Sequence, residues 1–215
     1  MNTRRMSRLF PKKDGVDFND LLIDKDAVTY ITKPSDSERI TTFICDIMCR
    51  FNKQPQDITI VDGTACAGGD TITFCNKFRI VIPIEENAIR YNHLFNNLAV
   101  YDIKNAYPIL GDSLQMIPQI QKSVDVIYID CPWGGSVYKR YEKLELSFGG
   151  YDLDVVIKML FDKKKDIKLI VLKLPKNYDY DSFENKMGNH YEIIIDKSLE
   201  KIDILGVIRS LRSST

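Results

Sequence analysis

Four short apolar runs, each stopping on an acid, constrain this chain more than any other feature of it. Residues 58–61 lead into Asp62, 78–84 into Glu85 and Glu86, 105–110 into Gly111-Asp112, and 124–129 into Asp130. Runs of this length and branching read as strands. Helical patterns separate them: 71–78, then 87–98 through Ile89, His93, Leu94, Phe95 and Leu98, then 113–122. Parallel neighbours need a crossover that a helix supplies, so this alternation implies a mostly parallel sheet covered on both faces.

Farther on, 153–161 has a helical pattern, 168–174 is a strong strand broken by Pro175, and 191–195 and 202–208 are two more strands. With no helix between them, the last two suggest an antiparallel hairpin at one end. The expected fold is α/β, a doubly wound Rossmann-like sheet with that C-terminal hairpin. A further helix begins near Pro34-Ser35-Asp36-Ser37-Glu38, with Ser or Asp as its cap, carries Ile40, Phe43, Ile44, Ile47 and Met48 on one face, and ends near Phe51-Asn52. Residues 1–34 are expected to be an extension of the domain spanning 35–215. Its basic opening, Arg4, Arg5, Arg8, Lys12 and Lys13 around Leu9 and Phe10, reads as a solvated arm. Residues 138–147 show no clear period, and Pro83 inside the second run predicts a bulge or a strained strand end.

Composition excludes several function classes. Lys plus Arg equals Asp plus Glu at 30 each, so no global positive field holds long duplex nucleic acid. No run approaches the length of a membrane span, and the start lacks the apolar centre of a signal peptide, so a soluble, intracellular protein is expected. The five cysteines show no Cys-x-x-Cys spacing, and His93 and His190 stand alone. Reduced thiols and no metal are the expectation. A monomer is the default.

In open α/β sheets ligands sit at the carboxyl ends of strands. For a nucleoside ligand, glycines after the first strand permit close backbone approach, an acid after the second accepts ribose hydroxyls, and an acid after the third accepts from an adenine amino group. The first turn, Asp62-Gly63-Thr64-Ala65-Cys66-Ala67-Gly68-Gly69, is neither Gly-x-Gly-x-x-Gly nor a Gly-Lys-Ser/Thr loop. The fourth run ends in Asp130-Cys131-Pro132-Trp133-Gly134-Gly135, where Pro132 stops the ladder and the glycines permit a sharp turn. Trp133 is the only tryptophan. Taken alone, it reads as a core residue at a strand-to-turn junction.

The order Val61 to Gly69, Ile84-Glu85, Asn96-Asn97 with Val100-Tyr101, Gly111-Asp112 and Asp130 to Gly135 resembles the trimethylguanosine synthase family, S-adenosylmethionine-dependent RNA cap guanine-N2 methyltransferases. The resemblance extends to Arg8-Leu9-Phe10, to the helix begun near Pro34 and to 172–177, so it covers most of the chain, which starts close to a minimal catalytic core. It implies that Asp62, Gly63, Thr64, Ala65, Gly68 and Gly69 hold the amino-acid end of S-adenosylmethionine, Glu85 its ribose and Asp112 its adenine, with Asp130 beside the cofactor. It also implies that Trp133 stacks on 7-methylguanine of a capped RNA. A cationic purine suits an indole face. Asp130 and the Cys131 carbonyl, held by Pro132, would aim the amine. Asp130 stands where the family often has Ser and Cys131 where it usually has Pro. Arg8 and Lys176, with Arg4 and Arg5, are candidate triphosphate contacts by charge and position, so the extension 1–34 would contribute to the cap and cofactor site of a class I methyltransferase domain spanning 35–215.

Other substrates share an exocyclic amine: guanine N2, adenine N6 or cytosine N4 of internal RNA or DNA. A non-catalytic cap-binding or RNA-binding subunit is the reading from a different class. The abundance of Asn, Ile, Lys and Tyr suits an AT-rich genome, such as that of a large DNA virus or a protist.

Overall fold

The computed structural model describes residues 3–210. In chain order the strands are β1 (Thr59–Asp62), β2 (Ile80–Glu85), β3 (Ile109–Leu110), β4 (Val126–Ile129), β5 (Ser147–Phe148), β6 (Tyr151–Asp152), β7 (Leu169–Pro175), β8 (Tyr191–Asp196) and β9 (Ile202–Arg209). The helices are α1 (Thr3–Leu9), α2 (Ala27–Tyr30), α3 (Pro34–Met48), α4 (Gly69–Cys75), α5 (Ala88–Val100), α6 (Ser113–Met116), α7 (Leu153–Lys163) and α8 (Tyr180–Met187). Among the described residues one seven-stranded sheet has the order β3-β2-β1-β4-β7-β9-β8. The first five of these are parallel, and β9 runs antiparallel to both β7 and β8. The doubly wound sheet with its antiparallel end is thus as the alternation of patterns requires.

Strand side chains alternate between two cores. Ile60, Val126 and Tyr128 face the layer of α3, α4 and α5, while Val61, Ile127 and Ile129 face the layer of α7 and α8. Both sets are buried, which is why these strands read as unbroken apolar runs and not as alternating ones.

Several local expectations change. Helix α3 takes Pro34 at its first position, so Lys33, not Ser or Asp, is the cap. Pro83 causes no bulge, for β2 keeps regular register with β1 from Thr59↔Ile80 to Asp62↔Pro83. Its missing N–H faces the β3 side, where pairing lapses between the Val81↔Ala106 bridge and Ile84↔Ile109. The one bond that position 83 would donate toward β3 is given up, while the register on either side of it is kept. The third strand is accordingly shorter than 105–110. The patternless stretch folds as a 3₁₀ turn over Gly135–Arg140 followed by the β5–β6 hairpin.

The basic opening is not a solvated arm. Met6, Phe10 and Leu21 are buried in the core under α3 and α4. Tyr101 donates to the Pro11 carbonyl (2.5 Å), and buried Asn97 on α5 accepts from Leu22 N and donates to the carbonyls of Leu22 and Ala67, each at 2.8 Å. One amide therefore ties the N-terminal segment to the glycine-rich turn. Asn97→Ala leaves the buried Ala67 carbonyl and the two part-buried backbone groups of Leu22 without their partner, an expected cost of about 1–3 kcal/mol. Urea unfolding should show that loss, and hydrogen exchange should speed up first at Leu22; unchanged exchange there would remove Asn97 as the tie.

Candidate active site

Hydrogen bonds beyond the ladders join the carboxyl ends of β3, β2, β1 and β4 into one edge. Gly111 N donates to the Glu85 carbonyl (3.0 Å), Ala65 N to that of Ile84 (3.0 Å) and Gly63 N to that of Tyr128 (2.8 Å), and Asp130 N donates to Thr64 Oγ1 (2.7 Å). The acids that end these strands therefore line one continuous rim.

The glycine-rich turn has local causes. Gly68 sits at φ 93°, which a side chain would strain, and a Cβ on Gly69 would lie 2.6 Å from Ile31 of the N-terminal segment. Asp62 is buried, accepting from Thr71 Oγ1 (2.6 Å) and Thr64 N (3.3 Å). Glu85 accepts from Cys66 N and Asn87 N, both at 2.8 Å, which fixes its carboxylate against the turn. Asp112 caps α6 through Leu114 N at 2.8 Å.

At the end of β4, Asp130 is paired with Lys173, which is only 5% exposed and lies in the middle of β7. Lys173 Nζ also donates to Thr32 Oγ1 (2.9 Å) and lies 5.6 Å from the centre of the Trp133 ring. Thr32 donates to Asp70 Oδ2 (2.6 Å), which Tyr128 OH reaches at 3.1 Å. The other oxygen, Asp70 Oδ1, is buried with no hydrogen-bond partner among the described residues. Trp133 is half-buried, packs edge-on to Tyr138 with ring centres 5.2 Å apart, and carries a buried Nε1 without a partner among the described residues.

Electrostatics follow from this crowding. Burial, reinforced by the Asp70 charge, pushes the Asp62 carboxyl up to about 7. Burial pushes Asp130 up to about 6 against the opposing pull of Lys173. Burial works against the Lys173 ammonium, yet the charges of Asp130 and Asp70 outweigh it and leave its pKa raised. Burial lifts the Cys131 thiol to about 12, so it is neutral. An orphaned carboxylate oxygen among acids that outnumber their one lysine fits a cationic ligand such as S-adenosylmethionine.

The expected site residues are distributed unevenly. Asp62 to Gly69, Glu85, Asp112 and Asp130 to Trp133 share the rim. Arg8 is exposed on α1. Lys176 donates to Asp203 (2.6 Å) and to the Lys197 carbonyl (3.1 Å), so its ammonium is already engaged. Thr32, Asp70, Tyr128 and Lys173 are not among the expected site residues, although 172–177 belongs to the stretch that carries the family resemblance. The signal that could have found Lys173 is a lysine inside the apolar run Leu169–Pro175, since a buried ammonium requires a partner. Nothing local points to Thr32, whose partners lie 38 and 141 residues away.

The family described as RNA cap guanine-N2 methyltransferase matches residues 57–209. The chain belongs to that family. It is a methyltransferase, and S-adenosylmethionine is its methyl donor. "Uncharacterized protein L320" of Acanthamoeba polyphaga mimivirus is 32% identical over 225 residues, covering 96% of this chain and 86% of that one. Among solved structures, precorrin-6y C5,15-methyltransferase from Geobacter metallireducens GS-15 matches with a TM-score of 0.58 at 14% identity, over 94% of this chain and 99% of that one. SMU.1697c from Streptococcus mutans, solved in complex with SAH, matches with a TM-score of 0.52 at 11% identity, over 84% and 99%. At such identities these two speak for the fold alone. No helix among the described residues is long and apolar enough to cross a membrane, and none of their His, Cys, Asp and Glu groups forms a metal-holding cluster.

Because the Asp62 carboxyl titrates near 7 in the fold against 3.8 as its ordinary value, its ionisation weakens the empty protein progressively as pH rises between those values. Asp62→Asn should therefore raise Tm by several degrees at pH 8, with the gain vanishing by about pH 4. A cationic ligand needs the carboxylate, so wild-type affinity for S-adenosylmethionine should fall as pH drops through about 7. Calorimetry and thermal melts across pH test both, and a pH-independent Tm difference would contradict the burial argument.

Proposed function

We propose that this protein transfers methyl from S-adenosylmethionine to the exocyclic N2 amine of 7-methylguanosine-capped RNA. The observation that supports this reading most is that the chain's only tryptophan and the acid ending β4 share one neighbour, Lys173, so a flat ring and an acceptor stand side by side on the rim. The family match adds to it.

Bound S-adenosylmethionine supplies an electrophilic methyl on a sulfonium. Asp62 and the turn through Gly63, Thr64, Ala65, Gly68 and Gly69 would hold its amino-acid end, with Asp70 Oδ1 as a further acceptor. Glu85, steadied by Cys66 N and Asn87 N, would hold the ribose, and Asp112 the adenine. An exocyclic amine is a weak nucleophile because its lone pair is delocalised into the purine. Asp130 and the Cys131 carbonyl would accept its two hydrogens and favour pyramidalisation, with positioning contributing more than proton abstraction. A carboxylate is too weak a base to take that proton beforehand, but once the nitrogen carries positive charge Asp130 is a competent acceptor. Trp133 would stack on the cationic base. Arg8 remains a contact for the triphosphate, whereas Lys176 would serve only by exchanging Asp203 for phosphate. The mimivirus relative fits a virus-encoded enzyme, and residues 1–34 fit an extension that completes the site through Thr32.

Transfer of labelled methyl to cap dinucleotides with and without N7 methylation decides the substrate. Label confined to the N7-methylated cap is expected. Label on internal RNA or DNA instead would assign an internal amine, and cofactor binding without any transfer would assign a non-catalytic subunit. Trp133→Ala should weaken cap binding about tenfold or more while leaving S-adenosylmethionine affinity nearly intact. Asp130→Ala should lower kcat about 100-fold with little change in cofactor affinity. Equal losses in turnover and cofactor binding would reassign Asp130 to the cofactor.

A further inference from the structure

We propose that Lys173 is the positioning residue of the amine site, engaging Oδ2 of Asp130 so that Oδ1 is presented as the acceptor to the substrate nitrogen. This rests on the amine-methylation reading above.

An ammonium in the middle of a buried strand is costly, and an ion pair there adds little to stability over packed apolar side chains. Its neighbours on β7, Leu172 and Leu174, are fully buried, and β4 and β9 flank it through the register Ile129↔Leu172 and Lys173↔Ile204. Nothing in that environment needs a charge for folding. What the ammonium does reach is the open rim. Among the described residues Lys173 supplies the one side-chain hydrogen bond to the Asp130 carboxylate, while Asp130 N is held by Thr64. Backbone and one oxygen are thus both pinned, and the second oxygen is left for a ligand. A carboxyl group carrying a proton would present a donor to the amine as readily as an acceptor, and a carboxylate free to rotate would hold neither oxygen in place for it.

The charged and titratable groups that face this pair are Asp70 on α4, Asp62 at the end of β1, Asp36 on α3, and Tyr128 and Cys131 flanking Asp130. All the charged ones are acids, so Lys173 is the cation that opposes protonation of Asp130. Its second contact matters as well. Sitting 5.6 Å from the Trp133 ring centre, it would repel a cationic base were its charge not offset by Asp130.

Trp133 is the only tryptophan, so its fluorescence reports the pair without any substrate. In the full chain, wild type should show a transition centred near pH 6, where Asp130 titrates. Asp130→Asn should abolish it, and Lys173→Met should move its midpoint up by about one pH unit or more. In methyl transfer at pH 7, Lys173→Met should lower kcat about 30-fold with KM for S-adenosylmethionine within about threefold, and part of the loss should return at higher pH. The double variant D130N/K173M removes both charges, avoids an unpaired buried acid, and should be no slower than D130N alone. A fluorescence midpoint unmoved by K173M, or losses that multiply in the double variant, would overturn the proposal. Should wild type methylate no amine at all, the substrate reading fails, and the fluorescence titration still decides whether Lys173 governs Asp130.

Discussion

The rim of this sheet is governed by an imbalance of charge. Asp62, Asp70 and Asp130 converge on it with one buried ammonium, Lys173, among them. Left empty, the site meets the excess by raising carboxyl pKa values, which is proton uptake in place of a missing cation. A methyl donor that carries a sulfonium and an ammonium against a single carboxylate brings the charge that the rim lacks. The demethylated product has lost the sulfonium charge and is held less strongly by the same acids. Under the proposed assignment of this rim to the donor, one electrostatic feature would favour its loading and the release of what remains of it, at the expense of stability in the empty protein.

That concentration of acid is tolerable because the backbone around it is over-determined. The four strand ends are joined crosswise by bonds from Gly63, Ala65, Gly111 and Asp130, none of which belongs to a regular ladder. The N-terminal segment closes one side: Ile31 fills the space that Gly69 leaves, Thr32 bridges Lys173 to Asp70, and Asn97 fastens Leu22 to Ala67. Burial of Met6 and Phe10 anchors the start of that segment in the same core that packs α3 against the sheet. Side chains with repulsive charges can be held together only where the scaffold does not yield.

Much of this was legible from patterns that local physics enforces. Strands buried on both faces appear as apolar runs, Asn87 and Asp112 cap the helices they precede, and the turn residues Gly68 and Gly134 take the left-handed angles that glycine permits. What was not legible depends on distance in sequence. Phe10 and Leu9 looked like interruptions of a basic arm because the surface they cover is assembled from α3, α4 and β-strand residues far along the chain. Helix α8 was missed because only Phe183 and Met187 of its eight residues are buried, too few to set a period. Lys173 is an anomaly in an apolar run, but its partners Asp130 and Thr32 follow only from the parallel register of β4 with β7 and from the path of the N-terminal segment. Pro83 misled in the opposite direction: a residue unfit for a central strand is accommodated because only one bond toward β3 is given up, while its register with β1 stays regular.

Trp133 shows why the ordinary and the functional reading of a residue need not compete. It packs against both core layers, as a tryptophan at a strand-to-turn junction should, and Tyr138 and Lys173 hold its edge and one side of its ring. A ring used as a stacking platform has to be immobilised by such packing, since a freely rotating indole would spend on ordering much of what stacking returns. Its buried Nε1 without an acceptor carries a desolvation penalty that a purely structural tryptophan would be expected to avoid. The partial burial that argues for a core role is therefore also what the proposed stacking of a flat cationic base on the exposed remainder of the ring would require.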